Sequence, residues 1–144
     1  MAYLGRCTQV LVTDIALSAL ILLGSYLYLT KLCSPSIVGA WPPKRKAWII
    51  SAVTSFLCSL LSAKYVYLLT LAEFDTSAAL YTDDRLSRFM TTFFTMSMVL
   101  DLSVGMIEYR SQIQLLSGWV HHIMYIGLAS WTLIGNFSRV SGES

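Results

Sequence analysis

The chain has 144 residues, one ordinary domain's worth. Hydrophobic residues make up 56% of it and charged residues 12%, where ~45–50% and ~25% are usual, and the mean hydropathy is +0.63. Ten basic and eight acidic residues cannot form the polar skin of a soluble domain, and so apolar a chain is not intrinsically disordered. A net charge of +2 with no basic stripe among aromatics speaks against nucleic acid as a partner. A polytopic membrane protein remains.

A helix that crosses a bilayer needs ~20 mostly apolar residues. The first such run is 10–29. Only Arg6 precedes it, the run is longer than a signal peptide's ~7–15 apolar residues, and no A-x-A-like cleavage site follows, so it reads as a retained helix. Pro35, Pro42 and Pro43 then mark a non-helical connection. The later runs are 49–69, 90–107 and 115–137. No period-2 alternation recurs, which disfavours a barrel. The expected fold is all-α: a single membrane domain, 1–144, a polytopic transmembrane bundle of about four membrane-spanning helices.

Lys and Arg in short loops set orientation. Lys31, Lys44, Arg45, Lys46 and Arg110 fall on one side, and Arg6, Arg85, Arg88 and Arg139 on the other. The second loop also holds Glu73, Asp75, Asp83 and Asp84. The Lys44-Arg45-Lys46 cluster decides for cytoplasmic first and third loops. Tyr28, Trp48, Tyr109 and Trp119 then fall at the cytoplasmic ends of their spans, as an interfacial aromatic belt.

Cys7, Cys33 and Cys58 show no C-x-x-C spacing, so neither a disulfide framework nor a zinc ribbon is indicated. Two adjacent histidines are too few for a histidine-rich di-iron hydroxylase, and a haem-spanning bundle is improbable. No metal and no cofactor is expected.

Ionisable groups inside a membrane are costly and need a partner or a job. This chain has five: Asp14, Lys64, Asp101, His121 and His122. At ~1.5 Å per residue, Asp14 and Lys64 lie ~6 and ~8 Å below the non-cytoplasmic surface, which makes them an expected structural ion pair, or leaves Lys64 to snorkel out to the interface. Asp101 and His121 both lie ~9 Å below the opposite surface, on spans that a short loop makes an antiparallel hairpin. A carboxylate bonded to one ring nitrogen would fix the tautomer and leave the other nitrogen as a base. Asp101, His121 and His122 are therefore the candidate catalytic residues, the alternative being a network that only fastens two helices. Ser97, Asp101, Gly105 and Glu108 share one face of the third span, and Gly118, His122, Tyr125, Ala129 and Thr132 one face of the fourth. His121 is turned ~100° from His122, so only one of the two faces this layer squarely. Ser51, Ser55, Ser59 and Ser62 form a small-residue ridge on the second span, read as helix packing.

The aspartate pair Asp101-Leu102, the run S-G-W-V-H-H-I-M-Y-I-G-L at 117–128, and Asn136-Phe137-Ser138-Arg139-Val140 carry a likeness. Over 94–140 the chain resembles the TLC-domain family, which includes the ceramide synthases and smaller proteins linked to membrane lipid composition. Met124-Tyr125 stands where the synthases have Thr or Ser soon after the second histidine, which favours the smaller branch. The synthase signature continues into a further His and Asp, and the family's domain into further helices, whereas this chain ends at Ser144. The expectation is a partial TLC-like domain.

The resemblance implies an endoplasmic reticulum protein of lipid binding or homeostasis, with Ser97, Gly105 and Tyr125 in a lipid groove. The alternatives are a ceramide-synthase-like N-acyltransferase fragment, or a non-catalytic membrane assembly partner. The missing His–Asp motif tips the chain away from enzyme activity. Expected partners are membrane lipids and, to cover a thin bundle, a second copy or another membrane protein.

Overall fold

In the computed structural model the described residues are 2–32, 42–73 and 85–142. Cys33, Pro35, Asp75, Asp83, Asp84 and Ser144 lie outside them. The described residues form helices and turns with no strand, the all-α bundle expected from composition.

Helix α1 runs over Ala2–Leu27 and closes with a π turn at Tyr28–Leu32. A short helix α2, Pro43–Lys46, follows. Pro42 is extended before it, and Pro43 fills the first turn, where a missing N–H costs nothing. Pro43–Lys46 is thus helical where the prolines predict a non-helical connection, and the Lys44-Arg45-Lys46 cluster rides on this turn. Helix α3 spans Ile49–Leu71 and α4 spans Arg85–Glu108. A 3-10 turn at Arg110–Gln112 and a π turn at Leu115–Val120 lead into α5, His121–Gly142.

Three segments are long and apolar enough to cross a membrane: Gln9–Leu32, Pro43–Leu71 and Arg85–Glu108. The 24 residues of the last give ~36 Å of helix against a ~30 Å hydrocarbon core. The fourth expected span, 115–137, is helical too, through the π turn at its start and the helix that follows.

Helix α4 is the hub. It packs on α1, α3 and α5, and α1 also meets α3. The reason lies in periodicity. Asp14, Ser18, Leu22, Tyr26 and Thr30 recur every fourth residue on α1, and all five are buried. They meet a core of Ile49 and Ile50 from α3, Phe93 from α4, and Tyr109. Small polar residues fill much of the seam because they let backbones approach closely. Their hydroxyls bond their own helix: Ser18 to the Asp14 carbonyl at 2.6 Å, Thr54 to that of Ile50 at 2.8 Å, Ser97 to that of Phe94 at 2.7 Å. Large apolar side chains such as Leu20, Phe56, Leu60 and Trp131 point outward, as lipid-facing positions should. The serine ridge is not packed: Ser51, Ser55 and Ser59 are exposed.

Candidate functional site

Asp101 is placed by α4, two turns before that helix ends. At Tyr109 the backbone leaves the helix (φ −145°, ψ 40°), and the side chain folds back along α4. Its hydroxyl donates to Asp101 Oδ1 at 2.6 Å, and lies 3.2 Å from the Asp101 carbonyl oxygen. Gly105 sits midway between the two residues and makes this return possible. A Cβ there would lie 2.8 Å from Tyr109 Cε2 and 2.5 Å from Ile113 Cδ1.

Ile113 is held from the other side by Gly118, whose Cβ would lie 2.5 Å from Ile113 Cγ2. One isoleucine thus wedges between two glycines and sets the hairpin that joins α4 to α5. The π turn forms here: the Trp119 N–H reaches the Gln114 carbonyl, five residues back, at 3.2 Å. The Gly118 carbonyl then meets the ring of His122, with Nδ1 at 2.7 Å. The other ring nitrogen, Nε2, lies 2.9 Å from Asp101 Oδ2.

Proton accounting fixes what this arrangement can do. A carbonyl only accepts, so Nδ1 of His122 carries a proton and donates to Gly118. Asp101 Oδ1 receives the Tyr109 proton. The Oδ2···Nε2 contact holds one more proton, either on the ring or on the carboxyl. In both cases the network is neutral as a whole, and neither nitrogen of His122 is free. The expected free base nitrogen is absent, because the backbone of the π turn occupies it. Tyr109 is a lasting donor. Burial first, then the hydrogen bond to Asp101 and its charge, hold the phenol far above its ordinary pKa.

His121 does not join this layer. It is exposed, its ring tilted against Tyr125 with centroids 4.6 Å apart and edge-on to His122 at 5.7 Å. One helical position turns it ~100° away, as its neighbour's alignment requires. Tyr125 is exposed as well and meets Phe94 edge-on at 5.8 Å. It lines an open apolar groove on the outer face of α5 with Met124 and Leu128. Ser97 and Gly105, expected in the same lipid groove, are buried in the helix seam instead. They serve packing, one through its small size and the other through its missing side chain.

Lys46–Glu108 and Asp101–His122 form salt bridges. Of the expected Asp14–Lys64 pair, Asp14 is buried in the seam and Lys64 is exposed. The Lys64 ammonium lies 5.4 Å from the centroid of the Tyr65 ring. Lys46, by contrast, reaches Glu108 at 2.6 Å and ties α2 to the end of α4. Glu108 sits where the helix dipole disfavours an anion, and the ammonium offsets that.

A cleft of about 360 Å³ opens beside the network. Asp101, Tyr109 and His122 form one wall, Lys44, Trp48 and Ser51 the facing one. Gln112 and Gln114 of the hairpin close one end. The volume falls in the ~300–1,000 Å³ range of small-molecule sites. Among the described residues no group of three or more His, Cys, Asp or Glu could hold a metal. Cys58 is half-buried in α3, away from this cleft.

No protein-family model, curated protein or solved structure matches the chain.

Three participants were missed in the sequence. Tyr109 was read as an interfacial aromatic, yet it is buried. Its signal was the Asp101–Gly105–Tyr109 spacing, one face at i, i+4 and i+8 with a gap in the middle. Lys44 and Trp48 read only as topology markers, and nothing local tells that α2 packs against the turn after α4.

Proposed function

We propose that this chain is an integral membrane protein that binds a membrane lipid in the cleft between α3 and α5. The observation that carries the reading is the cleft itself, at the end of the bundle that bears the basic cluster. It has a polar wall at one end of long apolar helices, the combination an amphiphile needs. The resemblance of 94–140 to the TLC-domain family supports a role in lipid homeostasis and an endoplasmic reticulum location. What favours binding over N-acyl transfer is the state of His122. A general base needs an empty nitrogen within reach of the substrate, and both of its nitrogens are engaged.

The test is lipid analysis of the full chain purified in mild detergent. A lipid co-purifies with the wild type, and Trp48→Ala and His122→Ala lower its occupancy. Absence of bound lipid, or unchanged occupancy in both variants, refutes the reading. Transfer of an acyl group from a thioester to a long-chain base, abolished by His122→Ala, would establish the enzymatic alternative instead.

A further inference from the structure

The walls of the cleft carry unequal charge. Asp101, His122 and Tyr109 form a closed neutral set, since the single proton between Asp101 and His122 cancels the carboxylate. Lys46 is committed to Glu108 at 2.6 Å and does not line the cleft. Lys44 does line it, is exposed, and makes no salt bridge among the described residues. Among the described residues, the charge left over in the cleft is therefore one ammonium. The same lining holds uncharged donors: the Ser51 hydroxyl, the Trp48 indole N–H and the Gln112 carboxamide, whose nitrogen also donates to Ser111 Oγ at 3.3 Å.

Building on the lipid-binding reading above, we infer that this cleft selects an amphiphile with an anionic phosphate headgroup, with Lys44 as its counter-ion. A phosphate brings several acceptor oxygens, which suits one point charge in the same lining as neutral donors. A zwitterionic headgroup brings a cation as well, and no free carboxylate in the cleft receives it, since Asp101 is already engaged. The small cleft holds the headgroup. The acyl chains leave along the exposed apolar sides of α3 and α5, past residues such as Phe56 and Ile123.

The full chain in phosphatidylcholine nanodiscs is titrated with fluorescent phosphatidic acid, with competition by unlabelled phosphatidylcholine and by inorganic phosphate. Phosphatidic acid binds, phosphatidylcholine competes at least about tenfold more weakly, and Lys44→Gln costs about tenfold, the scale of one charge-assisted contact. Arg45→Gln, a neighbouring exposed charge outside the cleft, leaves binding unchanged. Competition by millimolar inorganic phosphate as strong as by the lipid would identify a free phosphate as the ligand and overturn the lipid assignment. Equal loss in Lys44→Gln and Arg45→Gln would reduce the effect to general surface charge and overturn the role of Lys44. Equal affinity for both lipids would overturn the headgroup selectivity while leaving lipid binding intact. Binding of neither would overturn both.

Discussion

Two layers of this bundle carry ionisable groups at matched depth, and they fare differently. Near one end, residue counting sets Asp14 of α1 level with Lys64 of α3, yet Asp14 is buried in the seam and Lys64 is exposed. Near the other, Asp101 and His122 lie level on α4 and α5 and meet at 2.9 Å. Depth fixes height along the membrane normal and says nothing about azimuth. The second layer has azimuth supplied by a tight hairpin, with Ile113 wedged between Gly105 and Gly118. Charges at equal depth converge when local geometry turns them toward each other.

The largest expected effect comes from cutting the converged layer. Asp101→Ala strands His122 Nε2 and the Tyr109 hydroxyl in a mostly buried setting, at a cost of about 2–4 kcal/mol. Arg45→Ala, an exposed charge outside that layer, changes stability by less than about 0.5 kcal/mol. Unfolding of the purified chain by denaturing detergent measures both, and equal losses would erase the contrast. Next is the wedge. Gly105→Ala forces its Cβ against Ile113 and Tyr109 and costs about 1–3 kcal/mol. Ile113→Val in the same chain relieves part of this, so a double-mutant cycle shows coupling. Purely additive losses would mean that Ile113 is not what fills the space. Tyr109→Phe removes one hydrogen bond while keeping the ring, for about 1 kcal/mol. The smallest effect belongs to Lys46→Ala. Its pair with Glu108 is partly exposed, so the loss stays below about 1 kcal/mol and shrinks further in high salt.

Much of the fold was legible because composition and apolar run length are one-dimensional signals. The helices at 49–71 and 85–108 fall close to where the runs placed them. The Asp101–His layer was legible for the same reason, since a short loop forces an antiparallel hairpin and aligns depths. What was not legible depends on how the chain turns. The π turn that presents the Gly118 carbonyl to His122 has no sequence period of its own. Nor has the return of Tyr109, which sits at a helix end like any interfacial aromatic. The serine ridge on α3 looked like packing because small residues do both jobs: they let helices approach, or they leave a surface open. Which one holds is set by where the neighbouring helix lies.

Solid-state 15N NMR of histidine-labelled protein in bilayers, with His121→Gln to assign the rings, tests most directly the claim that the Asp101–His122–Tyr109 layer is a closed set. The geometry predicts a protonated Nδ1 on His122 and an Nε2 resonance coupled to the Asp101 carboxyl. A high-frequency, unprotonated Nδ1 would contradict it, by giving His122 the free nitrogen that a catalytic base requires.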